Sequence, residues 1–379
     1  MDYNTLSVEK HQQYRWKISV QSKVPLSSRE DLSIYYTPWV AEPCRLIDQN
    51  PELAYQYTWK NNSVAVVSDW SSVLWLGNIW WLAWLPVMEW KAILLKEFGW
   101  IDAIPIVLST QDPDEIIRVV EAISPTFGWI NLEDIAAPNC FYIEEELKKR
   151  LSIPVFHDDQ HGTAIVVLAG LINALKLVNK KFSDIKVVLV WAWAAGIAIS
   201  KLLVKYWLQN LILVDSHGAI HSGREDVNTY KQSLLQYNIN NESWSLKEVI
   251  VWADVFIWVS RPNLIQATDV EKMAKQSIVF SLSNPDPEIT REEALAWWAA
   301  IVATWRSDFP NQINNLLVFP GIFRGALDYR IPQITDDHKI AAAEALANYV
   351  TDLNPDNIIP SALDKNIANI IAQSISKIK

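Results

Sequence analysis

Short apolar runs recur along the chain at spacings that predict buried strands. In the first half these are Val64–Val67, Ile104–Leu108 and Ile153–Phe156. In the second half they are Lys186–Val190, Leu211–Val214, Val255–Val259, Ser277–Leu282 and Ile301–Ala303. Helical patterns lie between them. Asp112–Ile123 reads as a helix with Asp112 as N-cap and Pro113 at its first position. Phe141–Leu151 is amphipathic, with charges at Glu144–Glu146 and Lys148–Arg150. Thr163–Val178 is an apolar helix for which Thr163 is the expected cap. Ala194–Tyr206 is another, and His338–Val350 and Leu363–Ile378 close the chain. Strands alternating with helices imply an α/β fold with parallel sheets. The pattern changes near Gly162. This predicts an N-terminal α/β domain over residues 1–161 and a Rossmann-type, doubly wound parallel sheet with C-terminal helices over 162–379. No short repeat or low-complexity tract interrupts it.

Composition narrows the class. The chain has 379 residues, enough for two cores, and is 50% hydrophobic and 20% charged, as in ordinary globular proteins. A net charge of −10 argues against a broad nucleic-acid or anionic-membrane surface, but leaves room for a local site that binds a small anion. Residues 1–13 are polar, unlike a signal peptide, and no uninterrupted apolar run reaches the roughly 20 residues that cross a bilayer. Cys44 and Cys140 stand in no metal-like spacing and read as reduced, buried thiols of a cytosolic protein.

One count is abnormal: 20 Trp against 10 Gly. Together they make up about 8% of the chain, close to the usual glycine share of about 7%. Trp39, Trp191, Trp193, Trp297 and Trp298 stand in turn-like contexts that favour glycine, whose missing Cβ opens the left-handed region. A stop codon reassigned to glycine in the cell, and read as tryptophan in the written translation, produces this pattern. Substitution of glycine by tryptophan in the protein itself is the other explanation.

Trp191-Ala-Trp193-Ala194-Ala195-Gly196 follows a predicted strand and opens a predicted helix. With glycine at 191 and 193 it is G-x-G-x-x-G in the strand–turn–helix setting of a dinucleotide site, where pyrophosphate meets the helix N-terminus. Asp215 ends the next strand, about 20 residues on, where an acidic side chain bonds a ribose 2′-hydroxyl and favours NAD over NADP. With real indoles at 191 and 193 the dinucleotide should bind poorly.

Polar chemistry concentrates in three further segments. Asn131-Leu-Glu133-Asp134-Ile135 and Phe156-His157-Asp158-Asp159-Gln160-His161-Gly162 each place carboxylates just past an apolar run. Taken singly these are solvated turns. Converging, they suit Mg²⁺ or Mn²⁺, with a histidine-containing zinc site as an alternative. Lys91, in the apolar stretch Pro86-Val-Met-Glu-Trp-Lys91, is a candidate base if burial disfavours its ammonium. Tyr36, in Tyr35-Tyr36-Thr37-Pro38, is a candidate proton donor.

These segments, with Ser33-Ile-Tyr-Tyr-Thr-Pro-Trp-Val-Ala-Glu-Pro-Cys44, Val73-Leu-Trp-Leu-Gly-Asn-Ile-Trp-Trp81, Ser283-Asn284-Pro285 and Phe319-Pro-Gly-Ile-Phe-Arg-Gly-Ala-Leu327, resemble the motifs of malic enzymes, in family order over about residues 12 to 375. The resemblance implies oxidative decarboxylation of malate to pyruvate with NAD, or NADP, and a divalent cation. It implies that Glu133, Asp134 and Asp159 ligate the metal, that Lys91 is the general base and Tyr36 the general acid, and that Asp158 supports the site. Asn284 and Asn315 would contact substrate or nicotinamide. It also implies a homodimer. The departures are tryptophans at family glycine positions, among them Trp39, Trp75, Trp80, Trp81, Trp90, Trp191 and Trp193. Malate oxidation without decarboxylation, oxaloacetate decarboxylation alone, a non-catalytic dinucleotide- or metabolite-binding protein, and a variant inactivated by its tryptophans are the competing readings.

Overall fold

In the computed structural model, which describes residues 3–73, 76–190, 194–227, 229–259, 265–283 and 289–378, each of these apolar runs becomes a strand of one of two sheets. The chain begins with α1 (Tyr3–Tyr14), α2 (Arg29–Tyr35), α3 (Ala41–Gln49) and α4 (Ala54–Tyr57), none of which contains a buried residue. The first sheet is built from β1 (Ser63–Ser68), α5 (Trp81–Gly99), β2 (Asp102–Val107), α6 (Pro113–Ile123), β3 (Trp129–Leu132), α7 (Asn139–Arg150) and β4 (Val155–His157). Its order is β2-β1-β3-β4, all parallel. Asp112 caps α6 as expected, accepting from the Glu115 N–H at 2.8 Å.

Next comes α8 (Asp158–Val178), then β5 (Lys186–Val190), α9 (Ala194–Lys205), β6 (Asn210–Asp215), β7 (Gly218–Ala219), α10 (Thr229–Gln232), α11 (Leu246–Val249), β8 (Val255–Trp258), α12 (Ala267–Val270), β9 (Ser277–Ser281), α13 (Arg291–Ala296) and β10 (Ala299–Thr304). The second sheet runs β10-β9-β8-β5-β6-β7, parallel except for the β6–β7 pair. The chain order turns back between β5 and β8, the switch point at which open α/β sheets bind ligands. Last are α14 (Phe319–Asp328), α15 (Asp336–Tyr349) and α16 (Asn366–Ile375). These do not remain with the second sheet. Phe323 of α14 lies on Trp129 of β3, with ring centroids 4.4 Å apart, and Arg324 donates to Asn62 Oδ1 at 2.6 Å. Gly321 lets α14 approach α16, since a Cβ there would stand 2.7 Å from the Cβ of Ile371.

The expected cap of the long apolar helix is corrected. The helix starts at Asp158, not at Thr163, which lies buried inside it. The polar run from Asp158 to His161 reads as a turn in sequence. In the fold its two carboxylates occupy the first turn, where the helix dipole favours negative charge. This helix is long and apolar enough to cross a bilayer, yet 78% of its most apolar stretch is buried as the core element between the two sheets.

Glu144 of α7 anchors the start of α8. Its carboxylate accepts from His161 Nε2 and Lys148 Nζ, each at 2.9 Å, and from the His157 N–H at 3.1 Å. Burial opposes the Glu144 charge, but these partners outweigh it and hold the carboxyl well below its usual range. Burial also pushes the His161 imidazole down to about 3, so it donates as a neutral ring.

Of the tryptophans in the turn-like contexts named above, Trp298 takes a positive φ, Trp39 and Trp297 do not, and Trp191 and Trp193 lie outside the described residues. Of the twelve non-glycine residues at positive φ among the described residues, five are tryptophan: Trp70, Trp100, Trp207, Trp252 and Trp298. Trp100 closes α5 in the left-handed position that helices usually fill with glycine, and the residue is 75% exposed. At the other extreme, Trp84, Trp129 and Trp258 are fully buried, and the indole N–H of each has no acceptor. A backbone that wants glycine and an interior that leaves indoles unsatisfied both fit glycine at these positions.

Two expectations follow. Peptides of the natively produced protein that span Trp100, Trp207 and Trp252 should be lighter than the written sequence by one tryptophan-to-glycine difference per position; masses matching the written residues would reject recoding. Glu144→Gln should lower stability at pH 7 by roughly 3 kcal/mol, the scale for breaking a buried charge pair. Because the folded carboxyl lies below its unfolded value, that stabilisation is present above about pH 4.3 and is lost as pH falls further. Denaturant midpoints of the two proteins should therefore converge in acid.

Candidate active site

Parallel strands in register bring their C-terminal ends to one edge, and this edge gathers the carboxylates. Val67 pairs with Leu132, and Leu132 with His157, so the residues just past β1, β3 and β4 are neighbours. They are Asp69, Glu133 with Asp134, and Asp158 with Asp159. Each of these carboxylate-bearing residues is buried apart from Asp159, which is partly exposed. The loops are tied to one another: Glu133 N–H donates to Val67 O at 2.8 Å, and Ala136 N–H to Ser71 Oγ at 2.8 Å. Asp134 holds a left-handed φ of 54°, and its N–H donates to Asp159 Oδ2 at 2.8 Å.

Lys91 reaches this edge from α5. Its Nζ lies 2.8 Å from Glu133 Oε1 and 2.7 Å from Asp158 Oδ2, with the Phe319 ring centroid at 4.1 Å. Asn315 donates to the same Asp158 oxygen at 2.7 Å, so the predicted substrate contact sits against the predicted supporting carboxylate. Asn131 donates to Glu133 Oε2 at 2.8 Å. Gly162 makes room for Asp158, because a Cβ there would stand 2.0 Å from Asp158 Oδ1.

The expected electrostatics of Lys91 are reversed. Burial alone disfavours its ammonium, but Asp158 and Glu133 outweigh burial and raise the pKa, so the isolated chain holds a protonated lysine. The carboxyls show the opposite strain. Burial pushes Asp158 up to about 7 against the pull of Lys91, and pushes Asp159 up to about 6. Asp134 is raised well above its usual range by burial and by the charges of Asp159 and Glu133. One ammonium does not neutralise this many carboxyls, and Asp158 Oδ1 and Asp69 Oδ2 are buried without a partner. An all-oxygen donor set carrying surplus negative charge fits a hard divalent cation.

Among the described residues, the group of His and carboxylate side chains whose ligand atoms all lie within 4.8 Å of one another is a different one: Asp215, His217 and Asp226. Arg224 already bonds both of its carboxylates, so an internal cation takes the place a metal would fill.

Tyr36 is not brought to Lys91 by any hydrogen bond or ring contact; it follows α2 and is 67% exposed. Trp191, Trp193 and Asn284 lie outside the described residues. Ala194, Ala195 and Gly196 open α9, and Asp215 ends β6, which pairs with β5. Asp69 and Asn131 were missed as site residues. The signal was available for Asp69: like Glu133 and Asp158, it is an acid immediately past an apolar run.

Comparison with known proteins agrees with this geometry. The sequence model of the malic enzyme NAD-binding domain matches residues 160–378, and that of the malic enzyme N-terminal domain matches residues 15–113 and 109–148. The NAD-dependent malic enzyme of Geobacillus stearothermophilus is 53% identical over 362 residues, covering 95% of this chain and 76% of that protein. The bifunctional malic/malolactic enzyme of Bacillus subtilis strain 168 is 52% identical over 371 residues, covering 97% and 90% respectively. The crystal structure of the NAD-dependent malic enzyme from Thermotoga maritima superposes with a TM-score of 0.95 at 43% identity, covering 98% of this chain and 99% of that one. With both domains matched in order and the fold reproduced over almost its whole length, the chain belongs to the malic enzyme family.

Proposed function

We propose that this protein catalyses the oxidative decarboxylation of (S)-malate to pyruvate and CO₂ with reduction of NAD, in the cytoplasm, as a homodimer of two-domain chains divided near residue 162. The observation that carries the reading is the buried Lys91, held between Glu133 and Asp158 where three parallel strands end. Cys140 is buried as expected and Cys44 is exposed against expectation; both thiols are free, which suits a reducing compartment.

Glu133, Asp134 and Asp159 would hold Mg²⁺ or Mn²⁺, which when bound supplies Lewis acidity to the substrate oxygens. The remaining steps belong to side chains. Asp158 Oδ2, 2.7 Å from Lys91 Nζ, orients the lysine, which gives up its ammonium proton before it can act as a base. Lys91 Nζ accepts the C2 hydroxyl proton as C2 gives up hydride, producing oxaloacetate. Asn315, fixed on Asp158, keeps the pair aligned. After CO₂ leaves, the Tyr36 hydroxyl protonates C3 of the enolate to give pyruvate. The adenosine end of the dinucleotide would lie past β5 and β6, beside the switch point between β5 and β8.

The homodimer rests on the N-terminal segment. Tyr3, Val8, Tyr14, Val20, Leu32 and Ile34 are each about half exposed or more, and α1 to α4 bury nothing in this chain. A second copy covering this arm would remove that apolar surface from water and take Tyr36 out of solvent with it.

Lys91→Ala should lower kcat by roughly 10²- to 10⁴-fold, the usual range for a lost general base. Tyr36→Phe should slow C3 protonation more than oxidation, seen as a burst of NADH ahead of pyruvate. Full turnover by both variants would refute the roles, and NADH formation without CO₂ release would point to simple malate oxidation. Sedimentation should give twice the chain mass of 43.3 kDa, and Leu32→Asp with Ile34→Asp should release monomer.

A further inference from the structure

His157 ends β4 at the sheet edge that gathers the acids, yet its side chain makes none of the contacts that join them. The imidazole is buried, and among the described residues neither ring nitrogen has a hydrogen-bond partner. An imidazole always carries at least one N–H, and burying that donor without an acceptor is unfavourable. The ring has no freedom to find a partner by moving. His157 pairs with Leu132 of β3, and its backbone N–H donates to Glu144 Oε1 at 3.1 Å.

An acceptor lies just beyond reach. Asp159 Oδ2 is 3.7 Å from His157 Nε2. An N–H···O bond extends to about 3.2 Å, so the carboxylate needs to shift by roughly half an ångström. Asp159 can make that shift, because its side chain is 33% exposed and opens α8 at the rim of the site. Oδ2 already accepts from the Asp134 N–H at 2.8 Å, which uses one of its two lone pairs. The second lone pair is the one His157 can fill. With Oδ2 held between two N–H donors, Oδ1 is the oxygen left for a cation. The ring itself is a poor ligand for Mg²⁺ or Mn²⁺, which prefer oxygen.

We propose that His157 is a positioning residue for the cation site: its Nε2–H holds Asp159 Oδ2, so that the carboxylate meets the cation already oriented. The inference rests on reading Asp159 as a cation ligand. Hydrogen bonds to metal-binding side chains are commonly worth about 10- to 100-fold in metal affinity.

The test measures Mn²⁺ binding to the full-length protein, stripped with chelator and free of substrate and dinucleotide, from the EPR signal of the unbound ion. His157→Leu, which removes both nitrogens at similar volume, should weaken Mn²⁺ by roughly 10- to 100-fold. The stripped variant should melt no lower than the unaltered protein, because the change removes no side-chain hydrogen bond. His157→Gln, whose amide nitrogen reaches the place of Nε2, should return the affinity to within a few-fold of the original. His157→Asn, one methylene shorter, should not. The contrast between these two carries the test if His157→Leu folds poorly. Unchanged affinity in His157→Leu overturns the proposal, as does a Gln variant no better than Asn. Loss of affinity matched by a loss of melting temperature marks a structural role and overturns it too. A nitrogen coupling to bound Mn²⁺ in the ESEEM spectrum makes His157 a ligand, which also overturns it. Asp159→Ala separates this proposal from the reading beneath it. If Asp159→Ala loses Mn²⁺ while His157→Leu keeps it, the proposal alone fails. If Asp159→Ala keeps Mn²⁺, or the unaltered protein binds none, the reading of Asp159 as a ligand fails and the proposal with it.

Discussion

Lys91 Nζ is the counter-charge that allows several acids to share one buried sheet edge. The geometry is set by register: three parallel strands end level, so the residues after them meet whether or not their charges agree. Glu133 and Asp158 tolerate burial because an ammonium stands 2.8 and 2.7 Å away. Desolvating an unpaired carboxylate would cost several kcal/mol, and losing one partner of a buried pair commonly costs about 3–5 kcal/mol. The same contact holds the lysine protonated, since both acids favour its ammonium form.

Around that contact the fold is a means of fixing distances. Helix α8 starts with the acids of the site and continues as the buried element between the two sheets. Its first turn is pinned by Glu144 through His161 and Lys148. The C-terminal helices return over the first sheet, bringing Phe319 over Lys91 and Asn315 onto Asp158. Residues far apart in the chain therefore close the site from both sides, and a shift of either sheet relative to α8 would be felt at Lys91.

The tryptophans divide the molecule differently. The side chains proposed for catalysis are intact, whereas several backbone positions that ask for glycine are written as tryptophan. Residues in the left-handed region cost about 1 kcal/mol when they carry a Cβ, and a buried donor without an acceptor costs about 1–3 kcal/mol. Five tryptophans of the first kind and three of the second load the written chain with a penalty comparable to the whole stability of an ordinary domain.

Period and punctuation alone determined the strands, the parallel α/β class, the cap at Asp112 and the helix that opens at Ala194, because these are local properties of a few consecutive residues. Strand-end acids were legible too: Glu133, Asp134, Asp158 and Asp159 each follow an apolar run, and by the same signal Asp69 could have been found. Tertiary structure decided what no local pattern carries. It set the start of α8 at Asp158, since a helix dipole turns an apparent polar loop into a first turn. It kept Lys91 protonated, since its partners come from β3 and α8. It filled Asp215 with Arg224, and left Tyr36 on an exposed arm. In each case the deciding energy is a charge or a surface met across a long sequence separation, and such meetings exist only once the chain has folded.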